Sequence, residues 1–269
     1  MAKITVHASY GLDVRELDFS SIYYGYTYTR SSSLFRADYG SGYADEFRGS
    51  GFRYNSYGEP TAGTVTSYAG FVAGTRAFTV DGASISATNI VKAANTYSTS
   101  DDLSVIASAL KGSDSFKGGN GRDYVKLYGG NDTLLGNGGD DFLFGGSGND
   151  KITGGLGRDR LYGESGSDTF IYKSVKESTV SSTGRDTIYD FTSADTIHLS
   201  AIDANAKVSG NQEFSFIGTK AFSGKAGQLR YDKKASDTYI YGDVNGDKKA
   251  DFAIHLDDAV TLTKGDFLL

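Results

Sequence analysis

The chain has 269 residues, 38% of them hydrophobic, which is room for one large domain or about two to three small ones. Thirty-six glycines, one proline, nineteen tyrosines and no tryptophan describe a strand-and-turn protein rather than a helical bundle. With no cysteine it can form neither disulfides nor thiolate metal sites, and a net charge of −6, spread evenly along the chain, leaves no basic face for nucleic acid or anionic lipid.

Residues 1–99 read as an N-terminal β-rich domain without an assigned role. The opening MAKITVHASYGLDV alternates like a strand and lacks the apolar stretch of a Sec signal peptide. Strand-like alternation continues through LDFSSIYYGYTYT, FRGSGFRYNSYG and GTVTSYAGFV. Tyr23, Tyr24, Tyr26, Tyr28 and Arg30 suit a sugar-stacking surface, although tyrosines on both faces of a strand equally suit sheet packing. No HExxH or GxSxG occurs, and His7, His198 and His255 are too scattered to form a zinc site by sequence. An enzymatic site in this region would be tested at Asp45 and Glu46. No apolar run approaches the ~18 residues of a membrane span.

Residues 100–111 carry a short helix signature. Ser100 can cap it, Asp101 and Asp102 suit its positive N-terminus, and Leu103, Ile106, Ala107 and Leu110 form one face before Gly112. Its expected role is a lid on the first coil of the glycine-rich repeats that begin beside it.

Residues 109–171 divide without a gap into seven nine-residue units: ALKGSDSFK, GGNGRDYVK, LYGGNDTLL, GNGGDDFLF, GGSGNDKIT, GGLGRDRLY and GESGSDTFI. Position six is always aspartate: Asp114, Asp123, Asp132, Asp141, Asp150, Asp159 and Asp168. Position four is always glycine, and position eight is always apolar, from Phe116 to Phe170. Six residues make a tight turn and three a short strand, so two units complete one turn of a parallel solenoid and units n and n+2 stack at ~4.8 Å. Stacked aspartates ~5 Å apart repel by roughly 3 kcal/mol at an effective dielectric of ~20. One apolar residue per nine, contributing ~1.5–3 kcal/mol, offsets little of that. A divalent cation held by oxygens would remove the repulsion, and an all-oxygen set on flexible loops selects calcium. The alternative is a glycine-rich solenoid whose aspartates are simply solvated.

These nonapeptides resemble the RTX family of calcium-binding repeats. The resemblance implies a parallel β-roll in which each ion lies between loops n and n+2, here 114/132, 123/141, 132/150, 141/159 and 150/168, or about five Ca2+ ions. It also implies backbone carbonyl ligands at the glycine positions: Gly119, Gly121, Gly130, Gly136, Gly139, Gly145, Gly146, Gly148, Gly154, Gly155, Gly157 and Gly163. Repeats one, three and four depart from GGxG at Ala109-Leu110, Leu127-Tyr128 and Gly136-Asn137, which predicts weaker sites there.

Residues 172–269 resemble the C-terminal region of serralysin-type secreted metalloproteases, through GRDTIYDFTSADTIHLSAIDAN and FSGKAGQLRYDKKASDTYIYGDVNGDKKADFAIHL. With the repeats this resemblance covers about 109–269 and is not read upstream. Asp186, Asp190 and Asp195 either complete a terminal calcium site or belong to a hairpin-and-cap. In DVNGDKKAD, Lys248 and Ile254 stand where an EF-hand loop needs Gly and Glu, so Asn245-Gly246 reads as a two-residue hairpin. The terminal Asp266-Phe267-Leu268-Leu269 resembles the export signal of type I secretion substrates.

The expected fold is all-β: a parallel β-roll with flanking β domains and a short capping helix. The expected function is that of a non-enzymatic RTX protein of a Gram-negative bacterium, exported through a type I secretion transporter and folded by extracellular calcium. Two other readings are an extracellular hydrolase or lyase with its site in residues 1–99, and an adhesin that binds extracellular polysaccharide or another cell-surface ligand.

Overall fold

The computed structural model describes residues 1–96 and 98–269. The chain divides into two compact units, Met1–Gly130 and Asn131–Leu269.

The first unit holds β1 (Lys3–Val6), β2 (Thr27–Arg30), β3 (Leu34–Gly40), β4 (Tyr43–Tyr54), β5 (Pro60–Val72), β6 (Thr75–Ser86), α1 (Ala87–Ala94), α2 (Thr99–Ala109), β7 (Ser115–Lys117) and β8 (Tyr124–Lys126). Its sheet runs β2-β3-β4-β5-β6-β1-β7, antiparallel until β1 meets β7 in parallel, Ile4 opposite Phe116. Alternation along the long strands sends Phe35, Ala37, Phe47, Phe52 and Val65 to one face, where Ile90, Ala93 and Val105 of the helices cover them. The rings of Phe47 and Tyr68 stack there at 4.7 Å.

Three local expectations change. The strand read over LDFSSIYYGYTYT begins as a 3-10 helix, Phe19–Tyr24, because the Asp18 side chain accepts the Ser20 N–H and caps it. The tyrosines therefore do not form one row: Tyr24 and Tyr26 are exposed, while Tyr23 and Tyr28 pack on the core. Helix α1 was not anticipated, although Ala87, Ile90 and Ala94 recur at helical spacing and are buried. Helix α2 is capped by Ser98 rather than Ser100, and its buried positions are Asp102 and Val105. It packs against β6, α1 and the turn at Val14–Glu16. The first coil is covered instead by the N-terminal segment, with β1 paired to β7 and Asp13 bridged to Tyr124.

The second unit holds β9 (Thr133–Gly138), β10 (Phe142–Ser147), β11 (Lys151–Leu156), β12 (Arg160–Ser165), β13 (Thr169–Ile171), β14 (Thr187–Ile188), β15 (Thr196–His198), β16 (Ser215–Phe216), β17 (Gln228–Lys233), β18 (Thr238–Asp243), β19 (Phe252–Leu256) and β20 (Phe267–Leu268). Within it one sheet runs β9-β11-β13-β15-β20, parallel throughout. The other runs β16-β17-β18-β19-β14-β12-β10, with β18 antiparallel to both its neighbours. Consecutive nonapeptides supply alternate sheets, and their position-eight side chains, Leu134, Leu143, Ile152, Leu161 and Phe170, are fully buried between them.

The roll does not stop at residue 171. β14 stacks on β12 with Thr187 opposite Arg160, and β15 on β13 with Thr196 opposite Thr169, so Ile188 and Ile197 prolong the apolar core. The Asn245-Gly246 turn is also wider than a two-residue hairpin. The antiparallel pair β18–β19 closes at Gly242 opposite Phe252, leaving residues 243–251 as an irregular connection. Among the described residues no helix is long and apolar enough to cross a membrane.

Candidate metal centre

The repeat aspartates form a ladder. Each Oδ1 accepts the backbone N–H of the aspartate one coil earlier: Asp150 from Asp132 at 2.8 Å, Asp159 from Asp141 at 2.9 Å, and Asp168 from Asp150 at 2.9 Å. In the first unit the same hydrogen bond is supplied by the N-terminal segment, Ala2 N–H to Asp114 and Leu12 N–H to Asp123 (2.5 Å). All seven repeat aspartates are buried.

Asp186 and Asp195 are further rungs. Asp186 Oδ1 accepts from Asp159 N–H at 2.9 Å, and Asp195 Oδ1 from Asp168 N–H at 2.8 Å. Asp190 lies off the ladder and accepts the Gly163 and Glu164 N–H groups at 3.0 and 2.8 Å. The offset here is 27 residues instead of 18, which hides the continuation from a nine-residue frame. The surviving signal is Asp-Thr-Ile, at 186–188 and again at 195–197.

The glycines divide by task. A Cβ on Gly136, Gly145, Gly154 or Gly163, each at position one, would lie 2.2 Å from Oδ2 of the aspartate in its own repeat. At positions two and four the neighbour is the backbone of the previous coil. A Cβ on Gly155 would meet the Asn137 carbonyl oxygen at 2.2 Å, and one on Gly157 the Gly139 carbonyl oxygen at 1.9 Å. Gly130, Gly139, Gly146, Gly148, Gly155 and Gly157 all have positive φ. Tyr128, Asn137 and Glu164 keep positive φ at position two without being glycine, so the imperfect repeats follow the same path. Gly119 and Gly121 press instead on the backbone of Tyr10.

No protein cation lowers the carboxyls of Asp150, Asp159 or Asp168, whereas the N-terminal ammonium acts on Asp114. Burial pushes the carboxyls of Asp123 and Asp168 up to about 6, and it raises those of Asp114, Asp150, Asp159 and Asp186. The Oδ2 atoms of Asp150 and Asp159 are buried and receive no hydrogen bond. Buried anionic oxygens set against glycines whose Cβ space they occupy, and next to turn carbonyls, are a hard, all-oxygen donor set. The residues therefore fit calcium.

Other candidate positions are satisfied from within the protein. The Asp243 carboxylate accepts the N–H groups of Asn245, Gly246 and Lys248 at 3.2, 2.6 and 3.0 Å, while Asp251 accepts from Val244 at 2.7 Å. In the first unit, Asp45 accepts from Tyr39 (2.7 Å), Tyr68 (2.8 Å) and Ser21 (3.3 Å) beside a cleft of about 320 Å³. Burial raises its carboxyl. Burial also works to raise Glu46, but Arg48 and Arg36, at 2.7 and 3.1 Å, outweigh it and hold that carboxyl below its usual range.

The model of the peptidase M10 serralysin C-terminal family matches residues 18–269. The chain belongs to that family. The match reaches far upstream of residue 109, where the sequence resemblance was expected to end. C-terminal domains of this RTX type bind calcium, and this chain carries a row of buried aspartates along its roll. Two solved structures are similar to the chain, both subunits of the mannuronan C5-epimerase of Azotobacter vinelandii. The AlgE6R3 subunit is 24% identical, with TM-score 0.29, covering 58% of this chain and 78% of its own. The AlgE6R2 subunit is 23% identical, with TM-score 0.32, covering 59% and 88%. No curated protein sequence matches the chain.

Proposed function

We propose that this is a secreted, non-enzymatic RTX protein of a Gram-negative bacterium, exported by a type I transporter and folded by calcium once outside. The observation that carries this reading is the buried ladder, with oxygens of Asp150 and Asp159 that no donor reaches. Residues 109–171, with the further rungs Asp186 and Asp195, are the calcium-binding roll, with about five ions, and the rest of 172–269 is its C-terminal cap and export segment. Calcium supplies positive charge to carboxylates such as Asp150, Asp159 and Asp168, which no protein cation stabilises. At low calcium their mutual repulsion and desolvation oppose closure of the coils, so the chain stays loose enough to be threaded. At millimolar calcium, linkage favours the folded roll by RT ln(1 + [L]/Kd), about 4 kcal/mol per site at a thousandfold excess over Kd.

Circular dichroism in chelator and in millimolar calcium tests the folding half. Most of the β signal is expected to be lost in chelator and restored by calcium; an unchanged spectrum and melting temperature would refute it. The export half is tested by deleting Asp266–Leu269. Phe267 and Leu268 pair with Ile197 and His198 in the folded chain, so export and calcium-dependent folding must be measured on the same truncation. A chain that folds with calcium but is retained in the cell supports the export signal. Secretion at the normal level refutes it, and loss of folding assigns these residues to the sheet instead.

A further inference from the structure

On the outer face of the second unit, beside the rung Asp159, lies a cleft of about 200 Å³. Its floor is a row set by strand register. Arg160 on β12 stands opposite Thr187 on β14, Thr187 opposite His255 on β19, and His255 opposite Tyr239 on β18. The alternate positions Leu161, Ile188, Ile254 and Ile240 are fully buried, so the row itself faces outward. Arg158 and Arg185 complete the lining with Tyr189 and Ser182.

Three arginines therefore converge on one cleft of a chain whose net charge is −6. None of the three forms an ion pair among the described residues. Arg160 lies over the Phe142 ring at 4.5 Å, and Arg185 over the Tyr239 ring at 5.0 Å while donating to the Val180 carbonyl at 3.1 Å. The Arg158 backbone N–H donates to Asp140 Oδ1 at 2.9 Å, a contact its guanidinium does not share. The one acid in the lining, Asp159, is buried with its Oδ1 turned to the Asp141 N–H. Half-buried arginines lining one cleft without an ion-pair partner raise its positive potential, and an anion in the cleft would be held through charge-assisted, bidentate hydrogen bonds.

The rest of the lining narrows the class of anion. Tyr239 is held flat against His255, 4.7 Å between ring centres, and Tyr189 ends a stacked column with Tyr162 and Phe144 at 4.7 and 4.3 Å. His255 is fixed in turn by Asp237 at 2.7 Å and by the Thr187 hydroxyl at 3.1 Å. Rigid aromatic faces beside hydroxyls and guanidinium groups suit a ring that is apolar on its face and bears hydroxyls and a carboxylate at its edge. The chain's net negative charge disfavours a densely charged polyanion such as nucleic acid. We infer that the cleft lined by Arg158, Arg160, Arg185, Tyr189 and Tyr239 binds the carboxylated sugar units of an acidic polysaccharide.

The test is calorimetric titration of the calcium-loaded full chain with a hyaluronan hexasaccharide, with cellohexaose as the neutral counterpart and glucuronate as the free anion. Hyaluronan is expected to bind with an affinity that falls as salt rises, and cellohexaose not to bind. Arg160→Gln and Arg185→Gln should each weaken binding about tenfold or more, Arg185→Lys less, and Arg53→Gln, outside the cleft, not at all. The calcium midpoint of folding, measured for every variant, separates lost binding from lost structure. Absent hyaluronan binding, equal binding of cellohexaose, or binding indifferent to both cleft substitutions in folded protein would overturn the inference. Glucuronate binding as tightly as the hexasaccharide would overturn its polymeric part.

Discussion

Replacing Asp150 separates the two tasks that the ladder gives each carboxylate. Its Oδ1 accepts the buried Asp132 N–H at 2.8 Å, while its Oδ2 lies beside Gly145 without a donor. Asp150→Asn keeps an acceptor for the Asp132 N–H and removes the charge; Asp150→Ala removes both. A buried N–H left without an acceptor costs about 1–3 kcal/mol whether or not calcium is present. Loss of the charge acts through calcium alone, and at a thousandfold excess over Kd one forfeited site is worth about 4 kcal/mol. In saturating calcium the Ala variant should therefore melt below the Asn variant, by roughly 2–4 °C per kcal/mol for a chain of this size. Both should need more calcium than the parent to reach half-folding by circular dichroism. Asp114→Ala, whose partner is the Ala2 N–H at the end of the ladder, should raise that midpoint less. Equal midpoints for Asp114→Ala and Asp150→Ala, or an Asn variant with the parent's midpoint, would refute the division of labour.

Gly154→Ala would place a Cβ 2.2 Å from Asp159 Oδ2 and drive that carboxylate out of the turn, costing about 1–3 kcal/mol and weakening calcium binding by calorimetry. Gly112→Ala, with nothing within 4 Å, is the matched substitution that should leave calcium binding unchanged. In the first unit, burial first and then the Asp18 charge push the Asp102 carboxyl up to about 6. Between about pH 4 and 6 the folded chain then holds more protons than the unfolded one, so stability falls as pH rises through that window. Asp102→Asn should flatten this slope and stabilise the chain at pH 7 by about 1–2 kcal/mol, after a discount for solvent near the helix end. Parallel urea midpoints of parent and variant at pH 4.5 and 7 would show that Asp102 is not the group responsible.

The repeat was legible because one physical constraint recurs in every unit. Position eight must be apolar to fill the coil, position six must be aspartate to bridge to the previous coil, and position one must lack a Cβ to admit that aspartate's second oxygen. Such constraints act over nine residues and leave a pattern on each pass. Asp186 and Asp195 obey the same rule, but the connection between coils lengthens from 18 residues to 27, and periodicity loses them even though their Asp-Thr-Ile strands remain. The closure of the first rungs was hidden for a related reason. Helix α2 carries an apolar face next to the roll in sequence, yet that face is needed by the aromatic core of β4 to β6, and the first rungs are closed by Ala2 and Leu12, more than a hundred residues upstream. A partner that distant leaves no trace in local pattern. The arginine cleft lies beyond reach for the same cause. Arg160, Arg185 and Tyr239 come from segments that look unremarkable one by one, and only the register of β12, β14, β19 and β18 brings three arginines to one cleft with no ion pair among the described residues. Local repetition thus encodes the aspartate ladder, whereas the arginine cleft is written in the pairing of distant strands.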